Sequence, residues 1–280
     1  MNIEETNKFS IEFYPPRSAD GEKNLDNVHA QLTKLKPDFF SVTYGAGGST
    51  KKGTERLVLR YAELGSNVAP HLSFGGTDDE EVRSLLRNYK EAGIARLVAL
   101  RGDLPSTEPD HQRYASELVT FIRKETGEHF HIDVACYPES HPDSKSYEAN
   151  VEYFKQKVES GANSAITQYF YNADAYFRFV EYCQYKGIDI PIVPGIMPIT
   201  NYQKLSHFSS NCGAEIPRWL RVRLEDFGDN RESLKEFGIE FVTELCGTLL
   251  DGGAPGLHFY SMNLAGYVTK IWDNLSLSER

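Results

Sequence analysis

The chain has 280 residues, of which 40% are hydrophobic and 25% charged, and 30 basic against 40 acidic residues give a net charge of −10. This composition is typical of a globular protein, and the acidic balance argues against a nucleic-acid partner, because phosphate binding needs a basic surface. No apolar run approaches the roughly 18 residues of a membrane span, and the polar N-terminus MNIEETNKF resembles neither a signal nor a transit peptide. Four widely spaced cysteines fit free thiols in a reducing compartment. We therefore expect a cytoplasmic protein without a membrane partner.

The first β-type run, in FSIEFYPPR at 9–17, carries one carboxylate and then meets two prolines. Its apolar side chains alternate with Ser10 and Glu12, so a pleated strand places Glu12 on the face opposite Phe9, Ile11 and Phe13. Proline lacks the amide hydrogen that continues a ladder, so the strand ends within a few residues of the acid. The pattern predicts a carboxylate held at the end of a rigid element.

Seven further β-type runs follow, separated by helical patterns. The predicted strands are FFSVTYG at 39–45, NVAPHLSF at 67–74, ARLVALRG at 95–102, HIDVACYPE at 131–139, SAITQYF at 164–170, PIVPGIMP at 191–198 and GLHFYSM at 256–262. The predicted helices cover 23–35, 53–64, 78–93, about 112–124, 147–162, about 174–185 and 265–272, with several helical pieces across 202–241 that break at LEDFGDN.

Eight strand–helix units in one chain of this length predict an α/β protein with a (β/α)8 TIM barrel. The competing architecture is an open doubly wound sheet, which usually has about six strands and a Gly-x-Gly-x-x-Gly turn after the first. Here Pro-Pro-Arg stands at that turn. No linker or low-complexity tract divides the sequence, so we expect a single domain over residues 1–280.

Polar residues recur at the C-terminal ends of the predicted strands, where barrel enzymes have their active sites. They are Glu12, Thr43, His71, Ser73, Arg101, Asp103, Tyr137, Glu139, His141, Gln168, His258 and Tyr260. Each alone has a structural explanation, such as a hydrogen-bonded histidine or a local ion pair, but their recurrence on seven strands predicts a site for a large polar ligand. Some could converge on a metal, yet none of the histidines among them belongs to an HxH or HExxH pair, and we expect no metal. The glycine-rich AGGST at 46–50 is a weak phosphate-binding signal.

Eight motifs, in this order and spacing, closely resemble the bacterial-type 5,10-methylenetetrahydrofolate reductases. They are FSIEFYPPR, SVTYGAGGST, PHLSF, ALRGDLP, CYPESHP, GANSAITQYFY, IVPGIMPITNY and HFYSMN, and the resemblance runs from Phe9 to about Ile271. It implies a flavin-dependent (β/α)8 barrel that reduces methylenetetrahydrofolate to 5-methyltetrahydrofolate. The electrons would come from NADH or NADPH through tightly bound FAD in a ping-pong cycle.

The resemblance also implies residue roles. Glu12 matches the general acid that protonates folate N10, a role for which a raised carboxyl pKa is expected, and Asp103 matches an aspartate near the flavin and the folate. The residues that match substrate contacts are Gln168, Tyr202 and Tyr260. The residues that match FAD contacts are Thr43, His71, Arg101, Gly102, Asp103, Tyr137, His141, Asn150 and Lys157.

The sequence departs from the family pattern in places. Asn150 stands where the best-known bacterial pattern has an aspartate, and Tyr153 replaces an asparagine, which puts FAD affinity in question. The chain ends at Arg280, so the resemblance implies no C-terminal regulatory domain, and the family is usually homo-oligomeric. The choice between NADH and NADPH, and an additional electron-transfer subunit, stay open. Two alternatives also stay open: a colourless barrel aldolase or lyase, and a flavin- or partner-binding subunit without turnover.

Overall fold

The structure, a computed structural model, describes residues 8–44, 51–74, 78–102 and 113–279. Within these ranges nine short strands form one sheet in the order β7-β6-β5-β4-β3-β2-β1-β9-β8, and each pair is parallel. The strands are β1 Lys8–Phe13, β2 Phe39–Val42, β3 Val68–Leu72, β4 Arg96–Ala99, β5 His131–Cys136, β6 Ser164–Thr167, β7 Ile192–Val193, β8 Gly195–Ile196 and β9 Gly256–Tyr260.

The sheet closes through the seventh predicted strand, which Pro194 divides into β7 and β8. β7 pairs with β6 and β8 pairs with β9, so the two halves bridge the ends of the sheet. Pro194 has no amide hydrogen to donate, although its carbonyl accepts a hydrogen bond from His258 N at 3.0 Å. The nine strands therefore act as the eight predicted ones, and the (β/α)8 barrel in a single domain is confirmed.

Ten α-helices of the described chain surround the barrel. They are α1 Ala19–Leu32, α2 Lys51–Glu63, α3 Asp79–Glu91, α4 Ala115–Thr126, α5 Tyr147–Glu159, α6 Ala173–Tyr185, α7 Tyr202–Cys212, α8 Arg218–Asp226, α9 Arg231–Asp251 and α10 Ala265–Asn274. Two 3-10 turns cover Thr33–Leu35 and Leu277–Glu279. The break predicted at LEDFGDN separates α8 from α9. None of these helices combines the length and apolar character that a membrane crossing requires.

Short polar side chains cap the N-termini of six of the helices. Ser18, Asp78 and Ser146 each accept a hydrogen bond from a backbone amide in the first turn of α1, α3 and α5. Asn172, Asn201 and Asn230 do the same for α6, α7 and α9. Such N-caps satisfy amides that have no partner within the helix. They fix the residue at which each of these helices begins.

The strand faces divide as the alternation in β1 predicts. Phe9 contacts Trp272 of α10 with ring centroids 5.5 Å apart, and Phe13 stacks on Phe40 at 5.1 Å, so this face packs toward the helices. Ser10 and Glu12 point the other way and meet His71 of β3 and His258 of β9. The barrel lumen is therefore polar at the level of Glu12.

Below that level the lumen is filled by an apolar layer and then by an ion pair. Phe39, Ala69, Val98 and Ile166 form a buried cluster. The Arg96 guanidinium lies 4.2 Å from the Phe39 ring centroid and pairs with the buried Asp133. The lumen is closed from beneath, so a ligand of Glu12 has to approach from the C-terminal strand ends.

Candidate functional site

Glu12 lies between two imidazoles at the mouth of the lumen. Its Oε2 is 3.3 Å from His71 Nε2 on β3 and 3.5 Å from His258 Nε2 on β9. The Glu12 side chain keeps 16% of its surface exposed, whereas His258 is completely buried. Because Glu12 is the last but one residue of β1, the backbone that carries it is held on both sides, by β2 and by β9.

The pKa of Glu12 is lowered from 4.5 to about 2, which differs from the raised value that the family resemblance implied. Burial raises the pKa, but the positive charges of His71 and His258 and their contacts with the carboxylate lower it by more. The expectation considered only the low-dielectric lumen, and it missed that two basic rings share one carboxylate oxygen. Without a ligand, this cluster holds Glu12 as a carboxylate.

A second cluster of predicted site residues lies at the end of β5, where Asn150 of α5 makes hydrogen bonds to the loop from Tyr137 to His141. Asn150 Nδ2 donates to the Tyr137 carbonyl at 2.9 Å, and its Oδ1 accepts from His141 N at 3.1 Å. The rings of Tyr137 and His141 meet edge to face, with centroids 4.6 Å apart. Both functional groups of the Asn150 amide are thus used within the protein. The residue shapes this loop, and its predicted FAD contact remains a proposal.

Arg101 approaches the same loop from the end of β4. Its Nη2 lies 3.0 Å from Asp143 Oδ2, and the Asp143 amide donates to His141 Nδ1 at 3.0 Å. The pKa of His141 is lowered by burial and by the charge of Arg101, with Asp143 acting in the opposite direction. Arg101 and His141 therefore sit on one wall of the barrel mouth.

Gly102 follows with φ +82, and a Cβ there would lie 2.6 Å from Ser73 Oγ. Only glycine fits this turn without displacing the end of β3. Asp103, predicted next to it as a catalytic and cofactor residue, lies outside the described residues, as does AGGST at 46–50.

Lys157 and Thr43 complete the cofactor set predicted from the resemblance. Lys157 Nζ donates to the Ala135 carbonyl, and burial beside Arg101 lowers its pKa to about 8. Thr43 follows β2, and its buried Oγ1 has no hydrogen-bond partner among the described residues. A buried hydroxyl without a partner is costly in a finished protein. It is the kind of group that a bound ligand satisfies.

The three predicted substrate residues occupy different positions. Tyr260 at the end of β9 donates a hydrogen bond from its hydroxyl across the lumen to the carbonyl of Thr167 at 2.7 Å. Thr167 is the last residue of β6, and Gln168 follows it. Gln168 Oε1 accepts from Tyr169 N at 3.0 Å, which fixes the orientation of its amide. Tyr202 begins α7, and its hydroxyl donates to Glu225 of α8 at 2.8 Å. Gln168 and Tyr260 are neighbours, while Tyr202 is tied to α8.

Two strand-end residues stand out in the structure although neither was assigned a role in the sequence analysis. His258 contacts Glu12, as described above, and Glu139 is a half-buried carboxyl whose Oε2 accepts from Glu215 N at 2.8 Å. Their positions at strand ends were the available signal, but strand position alone does not reveal which side chain faces which. In the described part of the chain, no group of three or more His, Cys, Asp or Glu has the arrangement to hold a metal ion.

The residues fit a flavin dinucleotide. Arg101, His141 and Lys157 supply positive or proton-donating groups suited to a diphosphate, and the missing Cβ at Gly102 allows close approach of a ligand. The buried Thr43 hydroxyl has no hydrogen-bond partner among the residues that the structure describes. Asp143, the acidic side chain that contacts Arg101, is already paired with it.

Comparison with known proteins shows which family this chain is similar to. The sequence model of the family described as "Methylenetetrahydrofolate reductase" matches residues 1–276. The 5,10-methylenetetrahydrofolate reductase of Buchnera aphidicola subsp. Schizaphis graminum is 38% identical over 96% of this chain and 92% of its own length. That of Escherichia coli K12 is 38% identical over 91% and 86%. Methylenetetrahydrofolate reductase (NADH) 1 of Arabidopsis thaliana is 37% identical over 96% of this chain but 48% of its own length.

Among solved structures, a protein of Clostridium thermocellum described as binding two copies of 5-methyl-5,6,7,8-tetrahydrofolic acid superimposes with a TM-score of 0.67. The match covers 98% of this chain and 94% of that one, and at 17% identity it shows the fold alone. The family match and the bacterial relatives together decide the question of identity. The chain belongs to the methylenetetrahydrofolate reductase family.

Proposed function

We propose that this protein reduces 5,10-methylenetetrahydrofolate to 5-methyltetrahydrofolate with electrons from NADH or NADPH. The observation that carries the proposal is the carboxylate of Glu12, held by two histidines at the C-terminal mouth of the described lumen. The named bacterial relatives support the reaction, and the nicotinamide donor has support from the Arabidopsis relative, which is named as an NADH enzyme. We expect the protein to act as a homo-oligomer.

FAD, when bound, would supply the two-electron carrier between the nicotinamide and the folate. Arg101, His141 and Lys157 would hold its diphosphate, while Thr43 and Gly102 would lie against its ring system, together with Asp103. Lys157 would be mostly but not fully protonated at neutral pH, because its pKa is near 8. A diphosphate beside it would raise that pKa and make the ammonium permanent.

The folate would lie over Glu12, with Gln168 reading the donor and acceptor edge of the pterin. Gln168 is suited to this role because its amide is oriented by Tyr169 N. Tyr260 would form the floor beside it, since its hydroxyl is committed to Thr167. Glu12 would protonate N10, which opens the methylene bridge to a 5-iminium cation. The carboxylate left behind is an anion beside a developing cation, which lowers the barrier for the reduction that follows.

The purified protein, mixed anaerobically with NADH or NADPH and then with methylenetetrahydrofolate, tests this directly. We expect a flavin spectrum that is bleached by the nicotinamide and restored by the folate, with 5-methyltetrahydrofolate as the product. Glu12→Gln should keep the bleaching and lose the restoration. A colourless protein that retains a reaction on an aldol or lyase substrate would replace this proposal, and a flavin that is never bleached would leave only a binding subunit.

A further inference from the structure

A single side chain spans the barrel mouth from the strand next to Glu12 to the strand that precedes Gln168. Tyr260 is paired with Glu12 in the register of β9 with β1, and its hydroxyl donates across the lumen to the Thr167 carbonyl at 2.7 Å. Thr167 is completely buried and is the last residue of β6, so Gln168 follows it directly. The ring of Tyr260 therefore connects the backbone beside Glu12 with the backbone that carries Gln168.

The Thr167 hydroxyl makes a second contact, at the break between β7 and β8. Its Oγ1 accepts a hydrogen bond from Gly195 N at 2.9 Å. The register of β6 with β7 pairs Ile166 with Val193, so a continued ladder would bring the Gly195 amide to the Thr167 carbonyl. The hydroxyl binds that amide instead, and the carbonyl accepts from Tyr260. Thr167 thus replaces one ladder hydrogen bond by two hydrogen bonds, one to β8 and one to β9.

Gly195 lets the Tyr260 ring cross the lumen. A Cβ at Gly195 would collide with the Thr167 carbonyl oxygen and would lie 2.6 Å from Tyr260 Cε2. A glycine inside a strand often marks such a close approach. Burial and the charge of Glu12 raise the pKa of Tyr260 well above its ordinary value, so the phenol keeps the proton that it donates. The crossing therefore depends on the backbone at Gly195 and is held by a neutral donor.

We propose that Thr167 is a positioning residue that sets the spacing between Glu12 and Gln168. It does so through the ring of Tyr260. This role rests on the proposed function, in which Glu12 and Gln168 act on two parts of the same folate. A rigid planar ligand that has to meet both side chains cannot compensate for an error in their spacing, and a displacement of about 1 Å can slow a reaction by about 100-fold.

Other contacts of Gln168 fix its direction but not its distance from Glu12. Gln168 N donates to the Cys136 carbonyl of β5 at 2.8 Å, and Tyr169 N orients the side-chain amide. These hydrogen bonds involve β5 and the residue next to Gln168, whereas Glu12 lies on β1. The contact toward the Glu12 side of the lumen comes from Thr167, through the ring that starts on β9.

A purely structural role for Thr167 predicts a different result. If Thr167 only joins β6 to β8 and β9, its loss weakens folate binding to the same extent whether or not the Gln168 amide is present. If Thr167 acts through Gln168, its loss affects folate binding only while that amide is there. A double-mutant cycle separates the two roles, because it measures how far one residue acts through the other.

The cycle combines Thr167→Val, which replaces the hydroxyl by a methyl group, with Gln168→Ala in the flavin-loaded protein. The dissociation constant of 5-methyltetrahydrofolate, measured by calorimetry, is the readout. We expect Thr167→Val to weaken binding about 10-fold, the equivalent of about one hydrogen bond, but less than about 2-fold in the Gln168→Ala background. Thr167→Ser keeps the hydroxyl and should restore binding. Thr126→Val, which removes a hydroxyl that donates to the Ile122 carbonyl within α4, is the control. Equal losses in the two backgrounds would overturn the proposal.

Tyr260→Phe covers the case in which Thr167→Val does not fold. It removes the donor of the hydrogen bond to Thr167 and keeps the ring, so we expect the same pattern, a loss of folate binding that depends on Gln168. Unchanged binding in Tyr260→Phe, or a loss that is the same without the Gln168 amide, would contradict the spacing role while leaving the proposed function intact. That function itself fails if the folate does not restore the flavin that NADH has bleached in the unmodified protein.

Discussion

Arg96 and Asp133 form a bidentate ion pair inside the barrel, on the side of Phe39 away from Glu12. Arg96 Nε lies 2.6 Å from Asp133 Oδ2, and Nη2 lies 3.1 Å from Oδ1. The Asp133 carboxylate is 1% exposed and also accepts a hydrogen bond from the Ser164 hydroxyl. Burial alone would raise its pKa, but the His131 hydrogen bond and the Arg96 charge lower it well below the ordinary value.

Arg96→Met should destabilise the protein by about 3 kcal/mol, because it leaves a buried carboxylate without its cation. Arg60→Met removes a comparable pair with Asp26 from the surface, where Arg60 is 46% exposed, and should cost less than about 1 kcal/mol. Urea unfolding at pH 7 measures both. The stabilisation by Asp133 is present above its unfolded pKa of about 4 and is lost as the pH falls through the lower folded value. Equal losses in the two variants would show that the buried pair contributes no more than a surface pair.

Gly102→Ala should lower both stability and flavin content. A non-glycine residue at φ +82 costs about 1 kcal/mol, and the new Cβ would collide with Ser73 at 2.6 Å. Gly93→Ala is the matched control, because its φ is +75 and nothing lies within 4 Å of the new Cβ. Thermal unfolding and the ratio of flavin to protein absorbance report the two effects. Gly93→Ala should keep its flavin, and a similar flavin loss in both variants would mean that the contact with Ser73 is unimportant.

The barrel could be predicted from the sequence because its signals are local. Alternation in β1 placed Glu12 on the lumen face, and the two prolines after it marked the strand end, since both effects act within a few residues. The division of the seventh strand at Pro194 was missed, although the proline was visible. Whether this proline divides the strand depends on which strands pair with the segments before and after it, and that pairing is set only when the barrel closes.

The electrostatics of the site could not be predicted in the same way. Glu12 and His258 are 246 positions apart, and their contact exists because β1 pairs with β9 when the barrel closes. Their positions in the sequence predicted that both lie at strand ends. They did not predict that two imidazoles contact the same carboxylate oxygen. The sign of the pKa shift therefore came out wrong from burial alone. Asn150 is similar, because its amide pairs with a loop whose path the sequence does not specify.

Glu139→Gln should flatten the dependence of stability on pH. The pKa of Glu139 is raised from 4.5 to about 7 by burial, with the Glu215 amide acting against this and the Glu215 charge adding to it. The folded protein therefore holds a proton that the unfolded chain has lost, so stability falls as the pH rises from about 4.5 through 7. Glutamine keeps an acceptor for Glu215 N and removes the titration.

Unfolding by urea at pH 5 and pH 8 measures this difference. Glu139→Gln should be more stable than the wild type at pH 8 and similar to it at pH 5. Glu215→Gln removes the neighbouring charge and should reduce the slope by less. Glu128→Gln, on a side chain that is 84% exposed, is the neutral control. The same slope in Glu139→Gln as in the wild type would mean that Glu139 titrates normally.

Asn150→Asp restores the residue that the best-known bacterial pattern has at this position, and it separates two roles. If the residue acts through the loop, the carboxylate cannot donate to the Tyr137 carbonyl, and two acceptors 2.9 Å apart repel each other. Losing this hydrogen bond and placing a carboxylate against the carbonyl should cost about 1 to 3 kcal/mol and weaken FAD retention, because Tyr137 and His141 lose their fixed geometry.

If the position instead contacts FAD directly, the added carboxylate should strengthen binding through the ribityl or adenosine hydroxyls. The dissociation constant of FAD, measured by recovery of flavin fluorescence on dilution, decides between the two. Tyr153→Asn, the other departure from the pattern, is the matched control, because Tyr153 lies on the same helix with 47% of its surface exposed. We expect weaker FAD binding in Asn150→Asp and no recovery in the double variant. Tighter binding would show that charge at this position outweighs the two hydrogen bonds that Asn150 makes to the loop.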